Sequence, residues 1–297
     1  MAEWADACYI QPMPFEPSKA RLRRRRFRQI PVRMLVPNVI TLLAICAGLT
    51  AIRLSTEGRT DIAVAAIVFA AVLDGIDGRI ARLIKGQSKF GAELDSLADF
   101  VNFGVAPGLI LYFWQLHELH NGGWIAAMVF AISGGLRLAR FNSSMNDPNK
   151  PAFAANYFTG VPAPAGAITV LLPIYLAFLG VGRPPAALTA AFTLLVAILM
   201  VSRLPVFSGK TVRMRVPPEL VLPLFVAVIV FVALLISYPW YILSAGSVLY
   251  LASLPLGWKS YRDRARAAAS SASAAPSNEV RPFLSVASDQ ERPERLH

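Results

Sequence analysis

Charged residues are scarce in this 297-residue sequence: they make up 16% of it, whereas soluble proteins usually contain about 25%. Apolar residues make up 55% and lie in long runs rather than alternating with polar residues. A soluble globular domain is therefore excluded as the main unit of the chain. The composition predicts an integral membrane protein.

Cysteine and histidine are also rare, with two and three residues respectively. Cys8 lies in a polar N-terminal stretch and Cys46 lies inside an apolar run, so neither a disulfide nor a cysteine metal site is predicted. The sequence contains no G-x-x-x-x-G-K-[ST] loop and no G-x-S-x-G element. Zinc, P-loop nucleotide and serine-hydrolase sites therefore have no support.

Eight apolar segments have the length of about 20 residues that a membrane-spanning helix requires. They cover 34–54, 61–82, 94–115, 122–140, 161–181, 186–203, 218–236 and 239–257. The predicted fold class is all-α, a polytopic membrane helical bundle of about eight transmembrane helices. Gly104, Pro107 and Gly108 are expected to bend the third of these helices.

The formal net charge is +11, and the lysines and arginines concentrate in alternate connections between the apolar segments. By the positive-inside rule, both termini and the 83–93 loop face the cytoplasm, and a bacterial inner membrane is the expected location. Residues 1–33 are then a basic cytosolic tail, 34–257 the transmembrane domain and 258–297 a disordered cytosolic tail. Because the basic residues adjoin apolar segments, anionic membrane lipid rather than nucleic acid is the expected partner.

Four aspartates lie close together in the sequence, in two pairs that each share a helix face: Asp74 with Asp77, and Asp95 with Asp99. If the two helices meet along these faces, the carboxylates converge. Converging carboxylates repel one another unless a cation lies between them, and oxygen ligands of this kind suit Mg²⁺ or Mn²⁺. A row of solvated surface charges is the alternative, but acids within apolar sequence are costly unless they are paired or metal-bound.

The same residues fit the spacing D-x-x-D-G-x-x-A-R, eight residues, G-x-x-x-D-x-x-x-D, with every fixed position filled. This spacing resembles the signature of the CDP-alcohol phosphotransferase family. GLRLARFN at 135–142, YFTGVPAPAGA at 157–167 and the apolar segments beyond six helices resemble the branch that makes phosphatidylserine. The resemblance implies a metal-dependent transferase, commonly a homodimer, that uses CDP-diacylglycerol and L-serine as substrates and releases CMP.

The resemblance also implies roles for the aspartates. The implied metal ligands are Asp74, Asp77, Asp95 and Asp99. Asp99 is in addition the implied general base, which takes the proton from the attacking hydroxyl.

The substrate contacts that the resemblance implies lie on the same segments and on the first helix. The nucleotide or its phosphates are expected near Gly78 and Arg82, with Ser88 as a further contact. Asn38 and Thr41 are similar to a short Asn-x-x-Thr element that touches the lipid diphosphate in relatives. Arg82 could instead be a positive-inside charge, and Asn38 and Thr41 could be ordinary capping residues.

A serine acceptor brings a carboxylate, which needs a cation near the cytosolic end of the bundle. Arg137 and Arg140 close the fourth apolar segment on that side and, being three residues apart, share a helix face. Both could therefore enter one pocket, where a guanidinium would grip a carboxylate through two parallel hydrogen bonds. They could instead be anchors that reach the lipid phosphates.

Two other interpretations of the sequence stay open. An enzyme of the same reaction type could accept glycerol phosphate, inositol phosphate or choline instead of serine. A membrane transporter could also contain intramembrane carboxylates, although transporters tend to show paired repeats and sites at the midplane, whereas the acids here form one cluster near one face.

Overall fold

The computed structural model describes residues 35–84, 88–144, 157–202, 204–207 and 217–274. The predicted N-terminal tail, residues 1–33, lies outside the described residues, and so does 275–297. The described elements are, in chain order, α1 Leu35–Thr56, α2 Thr60–Leu83, α3 Lys89–Asp99, α4 Ala106–Trp114, α5 Asn121–Ser144, β1 Tyr157–Thr159, α6 Ala163–Val170, α7 Leu172–Phe178, α8 Ala186–Val201, β2 Pro205–Phe207, α9 Pro218–Ser237 and α10 Pro239–Ala274.

Helices make up nearly all of the regular structure in the described residues, as the apolar runs predict. The exception is a short antiparallel ladder between β1 and β2, in which Tyr157 pairs with Phe207 and Thr159 pairs with Pro205. The ladder joins the chain before α6 to the chain after α8. The predicted all-α class is therefore confirmed, with this single short ladder added.

Five helices in the described residues are long and apolar enough to cross a membrane, and the chain is an integral membrane protein. They are Leu35–Thr56, Lys89–Trp114, Asn121–Ser143, Glu219–Ser237 and Pro239–Lys259. Two more predicted spans correspond to shorter apolar helices, Ala163–Phe178 and Ala186–Val201. The remaining predicted span is α2, which has 24 residues but carries both acids and bases in its second half.

Helices α1 and α2 bury small residues where they pack and have several large residues on their exposed faces. Ala44 and Ala51 of α1 and Ala63 of α2 are buried, at 1% exposure or less, whereas Leu43 and Phe69 on the same two helices are about half exposed, at 50% and 51%. Without a hydrophobic drive between helices in lipid, close backbone approach at small residues supplies the packing. The outward leucines and phenylalanines then face the acyl chains.

The predicted bend in the third span is a change of helix type. Residues Phe100–Val105 form a π-helical turn between α3 and α4, in which the backbone N–H of Ala106 donates to the carbonyl of Val101. Pro107 follows directly; it has no N–H, and its ring clashes with the carbonyl four residues earlier in an ordinary helix. The wider turn accommodates the proline, and it lies immediately after Asp99, as π turns often do near functional residues.

The C-terminal helix is longer than the sequence suggests. A disordered tail is expected from residue 258, but α10 continues to Ala274. The segment between consists largely of alanine and arginine, which are strong helix formers, and it contains no glycine or proline after Trp258. Helix therefore extends past the apolar part of the segment.

Candidate active site

The four aspartates that the sequence pairs on two helices meet in the structure. Carboxylate oxygens of Asp74, Asp77 and Asp95 all lie within 4.8 Å of one another. The carboxyl groups of Asp74 and Asp99 are close enough to share a hydrogen bond. We call these four residues the aspartate cluster. Its members come from the second half of α2 and from α3, and both helices pack against α1.

Helix α1 contributes a hydroxyl to the cluster. Oγ1 of Thr41 lies 2.7 Å from Oδ2 of Asp77 and 3.0 Å from the carbonyl oxygen of Pro37. The hydroxyl has one proton, and a carboxylate at the shorter distance is the stronger acceptor. Thr41 therefore orients the buried carboxylate of Asp77, and α1 is fixed against α2 at this point.

Two carboxylate oxygens of the cluster are left without a protein partner. Oδ1 of Asp77 and Oδ1 of Asp99 are buried and have no hydrogen-bond partner among the described residues. A buried carboxylate in an apolar setting is stable only beside a cation or a set of donors. Oxygen donors on two facing helices are the ligands that a hard divalent cation prefers. The donor set therefore fits Mg²⁺ or Mn²⁺.

Two of the predicted substrate contacts, Asn38 of α1 and Ser88, lie next to the first turn of α3. Oγ of Ser88 accepts a hydrogen bond of 2.9 Å from the backbone N–H of Gly91, so Ser88 is the N-cap of α3. A Cβ on Gly91 would lie 2.8 Å from Oδ1 of Asn38, so a larger residue there would force the Asn38 side chain to shift. Gly91 thus lets α1 approach the first turn of the helix that carries Asp95 and Asp99.

Gly78 and Arg82 lie at the edge of the aspartate cluster, one helical turn apart. Nε of Arg82 donates a hydrogen bond of 2.8 Å to the carbonyl of Gly78, and the arginine side chain is exposed. Apart from the two chain neighbours and the backbone of the same helix, the only described atom within 4 Å of a Cβ built on Gly78 is Nη2 of Arg82, at 4.0 Å. The surface next to Asp77 is therefore open and carries a guanidinium, an arrangement that suits a phosphate group.

Arg137 and Arg140 share a helix face but have different surroundings. Arg137 is half-buried, lies 5.4 Å from the ring centroid of Phe141 and interacts electrostatically with Asp99. Arg140 is exposed, and its Nη1 donates a hydrogen bond of 2.6 Å to the carbonyl of Val201 at the end of α8. Of the two, the described structure brings only Arg137 to the aspartate cluster.

Two polar residues near the aspartate cluster are not among the predicted site residues. Asn102 is 1% exposed, and neither atom of its amide has a hydrogen-bond partner among the described residues. Its distance of three residues from Asp99 is the sequence signal that could have found it. Tyr250 of α10 interacts electrostatically with Arg137, and its hydroxyl is buried. No local spacing links Tyr250 to the aspartates, since it lies far along the chain.

Comparison with known proteins adds to this geometry. The sequence profile described as CDP-alcohol phosphatidyltransferase matches residues 34–207, more than half of the chain, and a second profile, CDP-alcohol phosphatidyltransferase 2, matches 219–255. The first match contains the whole aspartate cluster. The second covers α9 and most of the apolar part of α10.

Several curated proteins named CDP-diacylglycerol–serine O-phosphatidyltransferase are similar to the chain. The one from Mycobacterium tuberculosis is 48% identical over 137 residues, which is 46% of this chain and 48% of that protein. The one from Helicobacter pylori is 42% identical over 142 residues, covering 48% and 58%. The one from Methanocaldococcus jannaschii is 36% identical over 136 residues, covering 46% and 58%. The chain thus matches about half of the length of these relatives.

Proposed function

Because the chain belongs to the CDP-alcohol phosphatidyltransferase family, we propose that it transfers the phosphatidyl group of CDP-diacylglycerol to the hydroxyl of L-serine and releases CMP. The observation that carries this proposal is the aspartate cluster, with Arg137 beside Asp99. The proposed donor, CDP-diacylglycerol, and the proposed acceptor, serine, are taken from the names of the relatives, which are 36% to 48% identical to the chain.

The aspartate cluster is proposed to hold Mg²⁺ or Mn²⁺. Asp74, Asp77, Asp95 and Asp99 are the proposed ligands, and the unpartnered oxygens of Asp77 and Asp99 support this assignment. When bound, the ion supplies positive charge that offsets the charge of the diphosphate. Thr41 keeps the carboxylate of Asp77 in its orientation, so the position of this oxygen does not depend on substrate.

The diphosphate is proposed to bind over the open surface at Gly78. The absence of a side chain there lets a phosphate approach the helix, and the exposed guanidinium of Arg82 can turn toward it. Ser88 and Asn38 border the same area at the first turn of α3, where backbone N–H groups favour an anion. Thr41 acts on this site indirectly, through its hydrogen bond to Asp77. These residues bind and orient the donor.

Asp99 is proposed to be the general base. Its carboxylate takes the proton of the serine hydroxyl while that oxygen forms a bond to the phosphorus of the phosphatidyl group. The bond between this phosphorus and the oxygen of CMP breaks, and CMP leaves with the electron pair. The burial of Asp99 keeps the proton from competing water.

The position of Arg137 supports serine as the acceptor. In serine, the carbon that bears the hydroxyl and the carboxyl carbon are attached to the same Cα, so a base and a carboxylate-binding cation must lie close together. Asp99 and Arg137 lie within electrostatic range of each other, which supports this arrangement. Arg140 is proposed to act on the fold instead, through its hydrogen bond to Val201.

The remaining organisation is proposed from the sequence. The chain is proposed to have eight transmembrane helices within residues 34–257, a six-helix core plus α9 and α10, with both tails in the cytosol. We place it in a bacterial inner membrane with the active site facing the cytoplasm, as a homodimer. Single cysteines introduced at Gly86 and Asn121 should then be labelled from opposite sides of the membrane. Labelling from the same side would contradict the proposed orientation.

One assay tests the proposed reaction. Purified protein in lipid–detergent micelles receives CDP-diacylglycerol and Mg²⁺, with L-serine, glycerol phosphate, inositol phosphate or choline added in turn, and CMP release is measured. Serine alone should support release above background. Release with another of these acceptors and not with serine would keep the reaction type and overturn the acceptor. Release with none of them would overturn the proposed activity.

A further inference from the structure

Helix α10 turns a face of alternating apolar and hydroxyl residues toward the bundle. Leu243 is buried at 9% exposure, and Trp240, Tyr250 and Leu254 pack against the buried core. The helix contacts α6, α7 and β2, so it belongs to the packed part of the protein, whereas the apolar side chains of α9 are largely exposed. α10 lies outside the part of the chain that contains the aspartate cluster.

Three hydroxyls on this face of α10 have no partner. Oγ of Ser244, Oγ of Ser247 and the hydroxyl oxygen of Tyr250 are buried, are spaced three residues apart, and form no hydrogen bond within the described residues. A serine in a membrane helix usually bonds back to its own helix. Ser96 does so to the carbonyl of Ala92 at 3.1 Å, and Ser253 to that of Tyr250 at 2.6 Å. The three hydroxyls of α10 are therefore available to a polar group.

Tyr250 lies at the proposed cytosolic end of this row of hydroxyls, within electrostatic range of Arg137. The half-buried guanidinium of Arg137 lies within electrostatic range of both the Asp99 carboxyl and the Tyr250 phenol. A guanidinium has five N–H donors and a phenol adds one more donor, so the two groups together can hold both oxygens of one carboxylate. Arg137 of α5 thus links the proposed base on α3 to the phenol on α10 through its charge.

We propose that Tyr250 is a specificity residue of the acceptor site, whose hydroxyl donates a hydrogen bond to the acceptor's carboxylate while Arg137 grips the same carboxylate. This inference rests on the proposed function and names the class of acceptor: a small alcohol with a carboxylate one carbon removed from the carbon that bears the hydroxyl. It also assigns a role to α10, which supplies this donor from outside the segment that holds the aspartates. An alcohol without a carboxylate leaves both donors unpaired, and such sites discriminate strongly against it.

The first experiment compares Tyr250→Phe with the full-length wild-type protein in the CMP-release assay. The change removes one oxygen atom and keeps the ring, so the packing of α10 is retained. The KM for serine should rise about tenfold or more, the usual effect of losing a hydrogen bond to a charged group. The value of kcat and the KM for CDP-diacylglycerol should stay within about twofold. Tyr241→Phe, on the exposed side of the same helix at 63% exposure, is the matched control and should change neither KM.

The second measurement separates recognition of the carboxylate from a structural effect. Serinol (2-amino-1,3-propanediol) has the same amine and hydroxyl as serine but no carboxylate. Wild-type protein should favour serine strongly in kcat/KM, and Tyr250→Phe should narrow this preference by lowering the value for serine alone. Equal losses for both acceptors, or an unchanged serine KM in active Tyr250→Phe protein, would overturn the inference and leave the proposed function intact. A wild-type protein that releases no CMP with serine would overturn the proposed function, and this inference with it.

Discussion

Oγ1 of Thr41 lies 2.7 Å from Oδ2 of Asp77, and this contact joins α1 to the aspartate cluster. Both residues are buried, at 4% and 3% exposure. The hydroxyl therefore supplies a buried side-chain donor to the Asp77 carboxylate. Through this bond the first helix of the chain controls the geometry of a site built on the second and third.

Thr41→Val should weaken the site while keeping the shape of the side chain. The buried carboxylate loses its donor, which costs about 1–3 kcal/mol of folding stability. CMP release should fall about tenfold or more, and the Mg²⁺ concentration for half-maximal rate should change. Thr50→Val is the control, because the Thr50 hydroxyl bonds only to the Cys46 carbonyl on the exposed side of α1. Equal behaviour of the two variants would contradict the role of Thr41.

Removal of divalent cations should abolish activity, and Mg²⁺ or Mn²⁺ should restore it. Binding of the cation should also stabilise the folded protein in the absence of substrate. At a cation concentration one hundred times Kd, the gain in the free energy of unfolding should be about 2.7 kcal/mol, measured by thermal unfolding. Asp95→Asn should raise the cation concentration needed for both effects about tenfold. Asp61→Asn, in the exposed first turn of α2, should not. Full turnover in excess chelator would refute the metal site.

Asp99→Asn should stop turnover and leave nucleotide binding largely in place. The amide keeps the size of the side chain but cannot accept the proton of the acceptor hydroxyl, so kcat should fall by about 10²–10⁴. Binding of CDP-diacylglycerol, measured by displacement of a labelled CMP analogue, should change far less. Glu93→Gln, at an exposed position on α3, serves as the control. A near-normal kcat in Asp99→Asn would assign the base to another residue.

Arg137→Lys and Arg140→Lys should behave differently although the residues are one turn apart. Lysine keeps the charge but loses the planar fork, so Arg137→Lys should raise the KM for serine strongly and leave that for CDP-diacylglycerol nearly unchanged. Arg140→Lys should leave both KM values nearly unchanged, because Arg140 bonds to the carbonyl of Val201. An unchanged serine KM in both variants would show that Arg137 is a membrane anchor.

Gly48→Ala should destabilise the protein through a residue of the π turn. A Cβ at position 48 would overlap the amide oxygen of Asn102, which is 1% exposed, and would lie 3.4 Å from the Cα of Asn102. The expected loss is about 1–3 kcal/mol, measured by thermal or denaturant unfolding. The double variant Gly48→Ala with Asn102→Ala should regain part of it. Gly246→Ala, where a Cβ meets nothing within 4 Å, should be neutral or stabilising.

Most of the aspartate cluster could be predicted because its determinants are local. Helical periodicity dictates that Asp74 and Asp77 share a face, and the same holds for Asp95 and Asp99, whatever surrounds them. The charge of these faces then predicts a cation between the helices. Five of the eight predicted spans also match helices of spanning length, because the bilayer imposes length and hydropathy directly on the sequence.

The sequence by itself determined the class of the protein, its membrane character and the four carboxylates of the site. Only the tertiary structure decided that Thr41 bonds to Asp77, that Arg137 and Arg140 have different surroundings, and that Tyr250 lies within electrostatic range of Arg137. These relationships join helices far apart in the sequence. They depend on how side chains of different helices fit together, and the periodicity of a single helix does not contain that information.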